Sequence, residues 1–116
     1  MILGPLHVRG RDNIEAFFRT RNEKEIANRR TTRHFAPSLR LQVASEGRAS
    51  VHAIVLVHSG IGDWPLLSEP PSALGDFSFQ CVRDPAQGWL FETLTGTSVF
   101  AGAGAASFAK GTPPSR

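Results

Sequence analysis

The sequence lacks several features that mark common classes of protein. Its 116 residues include one cysteine and no tyrosine, and the longest apolar run is the five residues 53–57. A membrane-spanning helix needs about 20 apolar residues, so we expect no transmembrane segment. Cys81 has no second cysteine to pair with and is expected to be a small apolar residue.

The N-terminal segment also lacks the pattern of a signal peptide. Gly4 and Pro5 interrupt its apolar residues, and no basic residue precedes them. The composition, with 41% hydrophobic and 20% charged residues, is that of an ordinary globular protein. A chain of this length is expected to form one domain, which we predict to be cytoplasmic.

Charge is distributed unevenly along the chain. Residues 1–48 contain ten Lys or Arg and five Asp or Glu, whereas the remainder contains three and five. A basic half of this kind can bind nucleic acid. Most of these basic residues, however, lie on one proposed helix and at its exit, interleaved with acidic residues, and no aromatic residues alternate with them. We therefore expect a solvated helix face and no nucleic-acid partner.

The sequence contains one clear helical signal. Asp12, followed three residues later by Glu15, has the pattern of a capping box. The pattern predicts a helix from Asn13 to the mid-twenties, with one apolar stripe at helical spacing. The stripe consists of Ile14, Phe17 and Phe18.

The rest of the sequence has the character of strands. Turn signals and a Gly/Pro-rich connection over residues 59–73 separate the segments 31–43, 48–58, 74–83 and 89–100, and residues 2–8 favour a further short strand. A helix followed by an antiparallel meander predicts an α+β fold, with the helix on one face of a sheet of four to five strands. We assign the domain to residues 1–100 and expect a flexible tail over the small, Gly-rich residues 101–116.

The order of these motifs resembles a known family. The motifs are GRDNIEAFF on the helix, TRH at the start of a long strand, a hairpin, and DxxxGWxF leading into the last strand. This order is similar to the SnoaL-like branch of the nuclear transport factor 2-like superfamily, over about residues 8–100. The resemblance implies a cone-like, cystatin-like roll whose curved sheet encloses a pocket for an apolar or polycyclic small molecule. Because the superfamily includes cofactor-independent enzymes as well as binding modules, the fold does not settle the function.

The chain departs from this family in two ways. Relatives usually have two helices and a strand ahead of the GRD helix, where this chain has nine residues. The family enzymes scytalone dehydratase and ketosteroid isomerase use tyrosine hydroxyls, which this chain lacks. A mechanism copied whole from either enzyme therefore cannot operate here.

Two histidines are the candidates for catalysis. If residues 45–47 form a three-residue hairpin loop, the register places His34 opposite His58, with Cβ atoms roughly 4.5–5.5 Å apart. The same register pairs Arg40 with His52. The resemblance agrees, because scytalone dehydratase-like enzymes place two pocket histidines at the matching positions. Two coupled imidazoles would supply one neutral base and one proton donor near neutral pH.

The histidines also fit a purely structural role. A β-bulge at Pro37 would insert one residue into the first long strand and send His34 to the other face. Metal binding is disfavoured, since His52 and His58 are separated along one strand by roughly 20 Å. We expect no metal and no cofactor.

Two hypotheses follow for the function. The first is a small-molecule-binding domain in which His34 and His58 support lyase, isomerase or cyclase chemistry. The alternative is a non-catalytic subunit, similar to the β subunits of ring-hydroxylating dioxygenases, or a dimerisation module. With few helices to cover the sheet, an apolar patch is expected to find a partner, so we predict a homodimer or larger assembly. The predicted ligand-binding residues are Phe17, Phe18, Ile54, Leu56, Phe77, Phe79, Trp89 and Phe91.

Overall fold

The protein consists of one helix and one six-stranded sheet. The structure, a computed structural model, describes residues 1–102, so most of the predicted tail lies outside the described residues. The sheet order is β2-β1-β6-β5-β4-β3, and its long strands form an antiparallel meander. The α+β class is confirmed, but the sheet has six strands and not four to five. The elements are β1 (Ile2–Leu3), β2 (Leu6–His7), α1 (Arg11–Ala27), β3 (Arg30–Ser45), β4 (Arg48–Ile61), β5 (Ala73–Asp84) and β6 (Gly88–Ala101).

The two additional strands come from the N-terminal segment. Instead of one interrupted strand, it forms a small hairpin in which Ile2 pairs with His7. The turn contains Gly4, whose φ of 57° lies in the region that favours glycine. β1 also pairs in parallel with β6, with Ile2 opposite Thr95. The hairpin therefore extends the sheet beyond β6, and β2 is the terminal strand at that edge.

The helix begins earlier than the sequence predicts. α1 starts at Arg11, and its N-cap is Gly10, with φ 85° and no side-chain capping bond. The predicted capping box is therefore wrong, because Asp12 already lies inside the first turn of the helix. There its negative charge interacts favourably with the helix dipole. The side-chain amide of Asn13 instead donates a 2.8 Å hydrogen bond to the Arg9 carbonyl just before the helix.

The β3–β4 ladder contains a bulge that changes its register. From Ser38 to Val43 the predicted pairing is confirmed, and Arg40 lies opposite His52. Nearer the turn the register shifts again and Ser45 pairs with Arg48, so the predicted three-residue loop 45–47 is wrong. The register shifts by one between Phe35 and Ser38. Pro37 lies in this interval, and a proline has no backbone N–H to donate to a regular ladder. Every residue of β3 before the bulge consequently has a different partner from the one predicted.

The two faces of the sheet have different surroundings. The hydroxyl of Thr32 on β3 donates a 2.9 Å hydrogen bond to Glu25 of α1, so the helix lies on the side that Thr32 shares with its partner Ser59. We call this the helix-side face and the other the outer face. Side chains alternate along β4, so the buried residues Ala53, Val55 and Val57 also belong to the helix-side face.

The helix covers this face incompletely. No residue of α1 is buried, although Phe17 is partly shielded. Among residues 1–102, the buried hydrophobic side chains are small and come from β4 alone. Nothing helical in that part of the chain combines the length and the apolar content needed to cross a membrane. Much of the helix-side face is left accessible.

Candidate functional site

The structure separates the two candidate histidines. Beyond the bulge, His34 lies opposite Val57, and His58 lies opposite Arg33. Residues that face each other across an antiparallel ladder point to the same side of the sheet. His34 therefore belongs to the helix-side face and His58 to the outer face. The predicted cross-strand neighbours are not neighbours, because the bulge adds the one residue that reverses the face.

His34 lies beside charged groups of α1. His34 keeps much of its surface exposed, but the atoms around its ring partly desolvate it and lower its pKa below the ordinary value of 6.5. The nearby guanidinium of Arg21 lowers the pKa further, against the opposing effect of Glu25. Arg21 and Glu25 are paired one turn apart on the helix, with Nε and Oε1 3.6 Å apart. The imidazole is thus poised to be neutral at neutral pH, when it can accept or donate one proton.

His58 lies in a different environment on the outer face. Its partner Arg33 places its guanidinium 5.7 Å from the ring centroid of Trp64, and the Trp64 indole N–H donates a 2.8 Å hydrogen bond to the Thr31 hydroxyl. An ion pair between Arg29 and Asp63 lies beside them. These contacts tie the β4–β5 connection to the start of β3, which is a structural role for Trp64.

Three of the predicted lining residues form an aromatic row. Phe77 stacks on Phe79 with ring centroids 6.2 Å apart, and Phe79 lies 5.0 Å from Phe91. Phe77 and Phe79 pack against the buried residues of β4, so the row lies on the helix-side face. Trp89 lies two residues before Phe91 on β6, so alternation places it on the same face, and it is 50% exposed.

The other predicted lining residues are elsewhere. Ile54 and Leu56 lie opposite Asp76 and Leu74, which alternate with the phenylalanines, so both point to the outer face. Phe17 and Phe18 are on α1 and contact each other edge to face at 5.3 Å. The predicted set is therefore divided between the helix, the helix-side face and the outer face.

Beyond the bulge, three cross-strand rows form a continuous apolar surface, which we call the open apolar face. Each row runs from β3 through β4 and β5 to β6 on the helix-side face. Five large side chains on and beside these rows are at least half exposed, including Phe91 at 67% and Val43 at 64%. The rows are Leu39–Ala53–Phe77–Gly96, Leu41–Val51–Phe79–Leu94 and Val43–Ala49–Cys81–Phe91.

Sequence reasoning missed the β3 members of this surface. Leu39, Leu41 and Val43 alternate along β3, and this alternation is the signal in the sequence that could have grouped them on one face. Nothing local showed that the helix would leave them about 60% exposed. Their exposure depends on where α1 crosses the sheet, which is a tertiary property.

The described part of the chain has open depressions away from the candidate histidines. Two open depressions of about 260 Å³ each lie on its surface. One is lined by residues around Pro71 and Phe100, and the other by residues 40–42, so neither includes a candidate histidine. Within residues 1–102, no three His, Cys, Asp or Glu side chains converge as a metal site requires.

Comparisons with known proteins support the fold class. No protein-family model matches the sequence, and no curated protein matches it. A solved structure matches: a domain of unknown function with a cystatin-like fold from Nostoc punctiforme, 16% identical in sequence, with a TM-score of 0.59. The match covers 86% of this chain and 57% of that one, so this chain spans little more than half of the neighbour's length. At this identity the likeness shows a cystatin-like α+β fold and nothing about activity.

Proposed function

We propose that this domain is a non-catalytic association module that forms a homodimer through the apolar part of its sheet. The observation that supports the proposal is the open apolar face. Large contiguous apolar surfaces on folded proteins commonly mark sites of association. Leu39, Leu41 and Val43 are each about 60% exposed at the rim of that face, next to the free edge of β3.

The geometry favours association over the enclosed pocket of the small-molecule hypothesis. Sites for small molecules generally enclose most of the ligand surface. The three rows instead make a broad surface on the helix-side face, where five large side chains on and beside the rows are at least half exposed. A second protein chain can pack against the β3 side chains at the rim of this surface, which are each about 60% exposed.

The oligomeric state tests this proposal. We expect sedimentation at micromolar concentrations to give about twice the 12.6 kDa mass of the chain. The double variant Leu39→Ser/Val43→Ser removes apolar area from the open face and should shift the protein to the monomer. Leu67→Ser is the matched control, because Leu67 is 91% exposed in the β4–β5 connection and belongs to no apolar row. A wild-type protein that remains monomeric at these concentrations would overturn the proposal.

A second candidate function retains the SnoaL-like hypothesis of small-molecule binding. The observation that favours it is His34, a polar group of lowered pKa on the same face as the aromatic row of Phe77, Phe79 and Phe91. A ligand with an apolar body and one polar group would match both features. In this proposal the histidine anchors the polar group.

The two histidines provide an internal control for ligand binding. A panel of polycyclic aromatic compounds can be screened by the fluorescence of Trp89 and by the imidazole resonances. If His34 anchors a ligand, His34→Ala weakens binding, whereas His58→Ala on the outer face does not. Equal effects of the two substitutions, or the absence of binding, would count against this function.

A further inference from the structure

We propose that two copies of this chain join along the free edge of β3, by antiparallel pairing of residues 39–43 about a two-fold axis through Leu41. The inference rests on the proposed function and specifies its geometry. The result would be one continuous sheet across the dimer, with both helices on the same side.

The first support is the state of the β3 edge. β3 is the last strand of the sheet, and no strand within residues 1–102 pairs with its other edge. All thirteen residues from Arg33 to Ser45 are exposed. A long free edge presents unpaired backbone N–H and C=O groups, and it is a template for pairing unless something blocks it. The bulge at Pro37 interrupts the first half of β3, and a second register shift follows Val43, so the regular part of the edge is Ser38–Val43.

The second support is the sequence of residues 39–43, which is LRLQV. Pairing about Leu41 places Leu41 opposite Leu41 of the second copy, and Leu39 opposite its Val43. These pairs form an apolar ladder of six side chains on the helix-side face. They bring Leu39, Leu41 and Val43 of the two copies into contact at the rim of each open apolar face, while the β5 and β6 residues of that face stay outside the contact.

The third support is charge. Arg40 is the one charged residue in the segment, and pairing about Leu41 places it opposite Gln42 of the second copy. Pairing about Arg40 would set two guanidinium groups directly opposite each other, which is unfavourable. Pairing about Gln42 would place Leu39 opposite Ser45 and break the apolar ladder. The register about Leu41 avoids both conflicts.

Disulfide crosslinking tests the register directly. In a Cys81→Ala background, Leu41→Cys should crosslink to itself, because the two residues are direct neighbours. Leu39→Cys and Val43→Cys should each fail to crosslink alone, since each lies two positions from the axis and the two identical residues are therefore four positions, roughly 13 Å, apart along the strand. A mixture of these two variants should crosslink. Efficient self-crosslinking of Leu39→Cys would overturn the proposed register.

A negative or a positive charge introduced at Gln42 provides a second test of the register without disturbing the core. Gln42→Glu places a carboxylate opposite Arg40 of the second copy, so it should tighten the dimer and make its affinity depend on salt. Gln42→Arg should weaken the dimer by about tenfold or more. If the axis passed through Gln42 instead, Gln42→Glu would face itself and weaken the dimer, which would overturn the proposed register.

Failure of this inference can be distinguished from failure of the proposed function. A dimer by sedimentation in which Leu41→Cys does not crosslink leaves the association function intact and rejects the β3 edge. A monomer rejects both. A monomer in which the β3 amides that point away from β4 are protected from hydrogen exchange would show that another segment of the same chain covers the edge, and it would reject the pairing of two copies there.

Discussion

Val57 lies directly opposite His34 across the β3–β4 ladder, and this pairing places the imidazole on the face that carries α1. His58 is the next residue along β4 and points to the other face, where Arg33 is its partner. Proton transfer between two groups requires hydrogen-bond reach, about 2.6–3.2 Å between heavy atoms, or one bridging water. A sheet separates these two rings, so each histidine acts independently and serves as a control for the other.

The stability of the protein should depend on pH through His34. Its pKa is lowered in the folded state, mainly by burial and then by Arg21, so the unfolded chain binds this proton more tightly. The stabilising contribution is therefore complete above the ordinary value of 6.5 and decreases as the pH falls from 6.5 through the lowered pKa. We expect the urea midpoint to decrease over this interval, and His34→Gln to flatten the profile.

His58→Gln is the control for this measurement. That substitution removes a histidine from the outer face and leaves His34 next to α1, so the acid-dependent decrease should persist. The assignment of this pH dependence to His34 is wrong if His58→Gln flattens the pH profile and His34→Gln leaves it unchanged.

The two charged neighbours of His34 should shift its pKa in opposite directions. Arg21→Gln removes a positive charge that disfavours the imidazolium, so the pKa of His34 should rise. Glu25→Gln removes a negative charge that favours it, so the pKa should fall further below 6.5. Titration of the imidazole proton resonances by NMR measures both shifts. Shifts of the same sign would indicate that the substitutions moved the helix and not only its charges.

Sequence reasoning predicted well whatever depends on local pattern. Alternating apolar residues with turn signals between them located all four long strands, because a half-buried strand imposes a period of two. The hairpin was located near Gly47 and the pairing of Arg40 with His52 is confirmed, although Ser45 pairs with Arg48 and is not part of a three-residue loop. The spacing of Phe17 and Phe18 likewise identified the helix.

The errors arose where a single residue changes the face of a strand. The bulge next to Pro37 moved His34 to the side opposite His58, although the register on its other side was right. Ile54 and Leu56 were grouped with Phe77 by hydrophobicity, but their positions alternate with the buried residues of β4. Which side chains share a face of a sheet depends on whether their positions along the strands are odd or even. A bulge reverses this alternation, so the sequence specifies the face only when every bulge is known.

Gly96 should be intolerant of a side chain because of close packing. A Cβ atom at this position would lie 2.8 Å from the Phe77 ring and 2.9 Å from the Leu3 side chain. The ring cannot withdraw without disturbing its packing on β4, so Gly96→Ala should lower the free energy of unfolding by about 1–3 kcal/mol. Gly47→Ala is the control, since nothing lies within 4 Å of its Cβ position and its φ is not in the glycine region. Comparable effects of the two substitutions in urea unfolding would contradict the packing explanation.

The hydrogen bond between Trp64 and Thr31 should anchor the β4–β5 connection to β3. Trp64→Phe keeps an aromatic ring for Arg33 but removes the indole donor, and Thr31→Val removes the acceptor. Because both substitutions delete the same bond, each should cost about 0.5–1.5 kcal/mol, and the double variant should cost less than the sum of the two. Hydrogen exchange should quicken in residues 62–72 of either single variant while β5 stays protected. Strict additivity in the double-mutant cycle would mean that the two side chains act separately and that other contacts hold the connection.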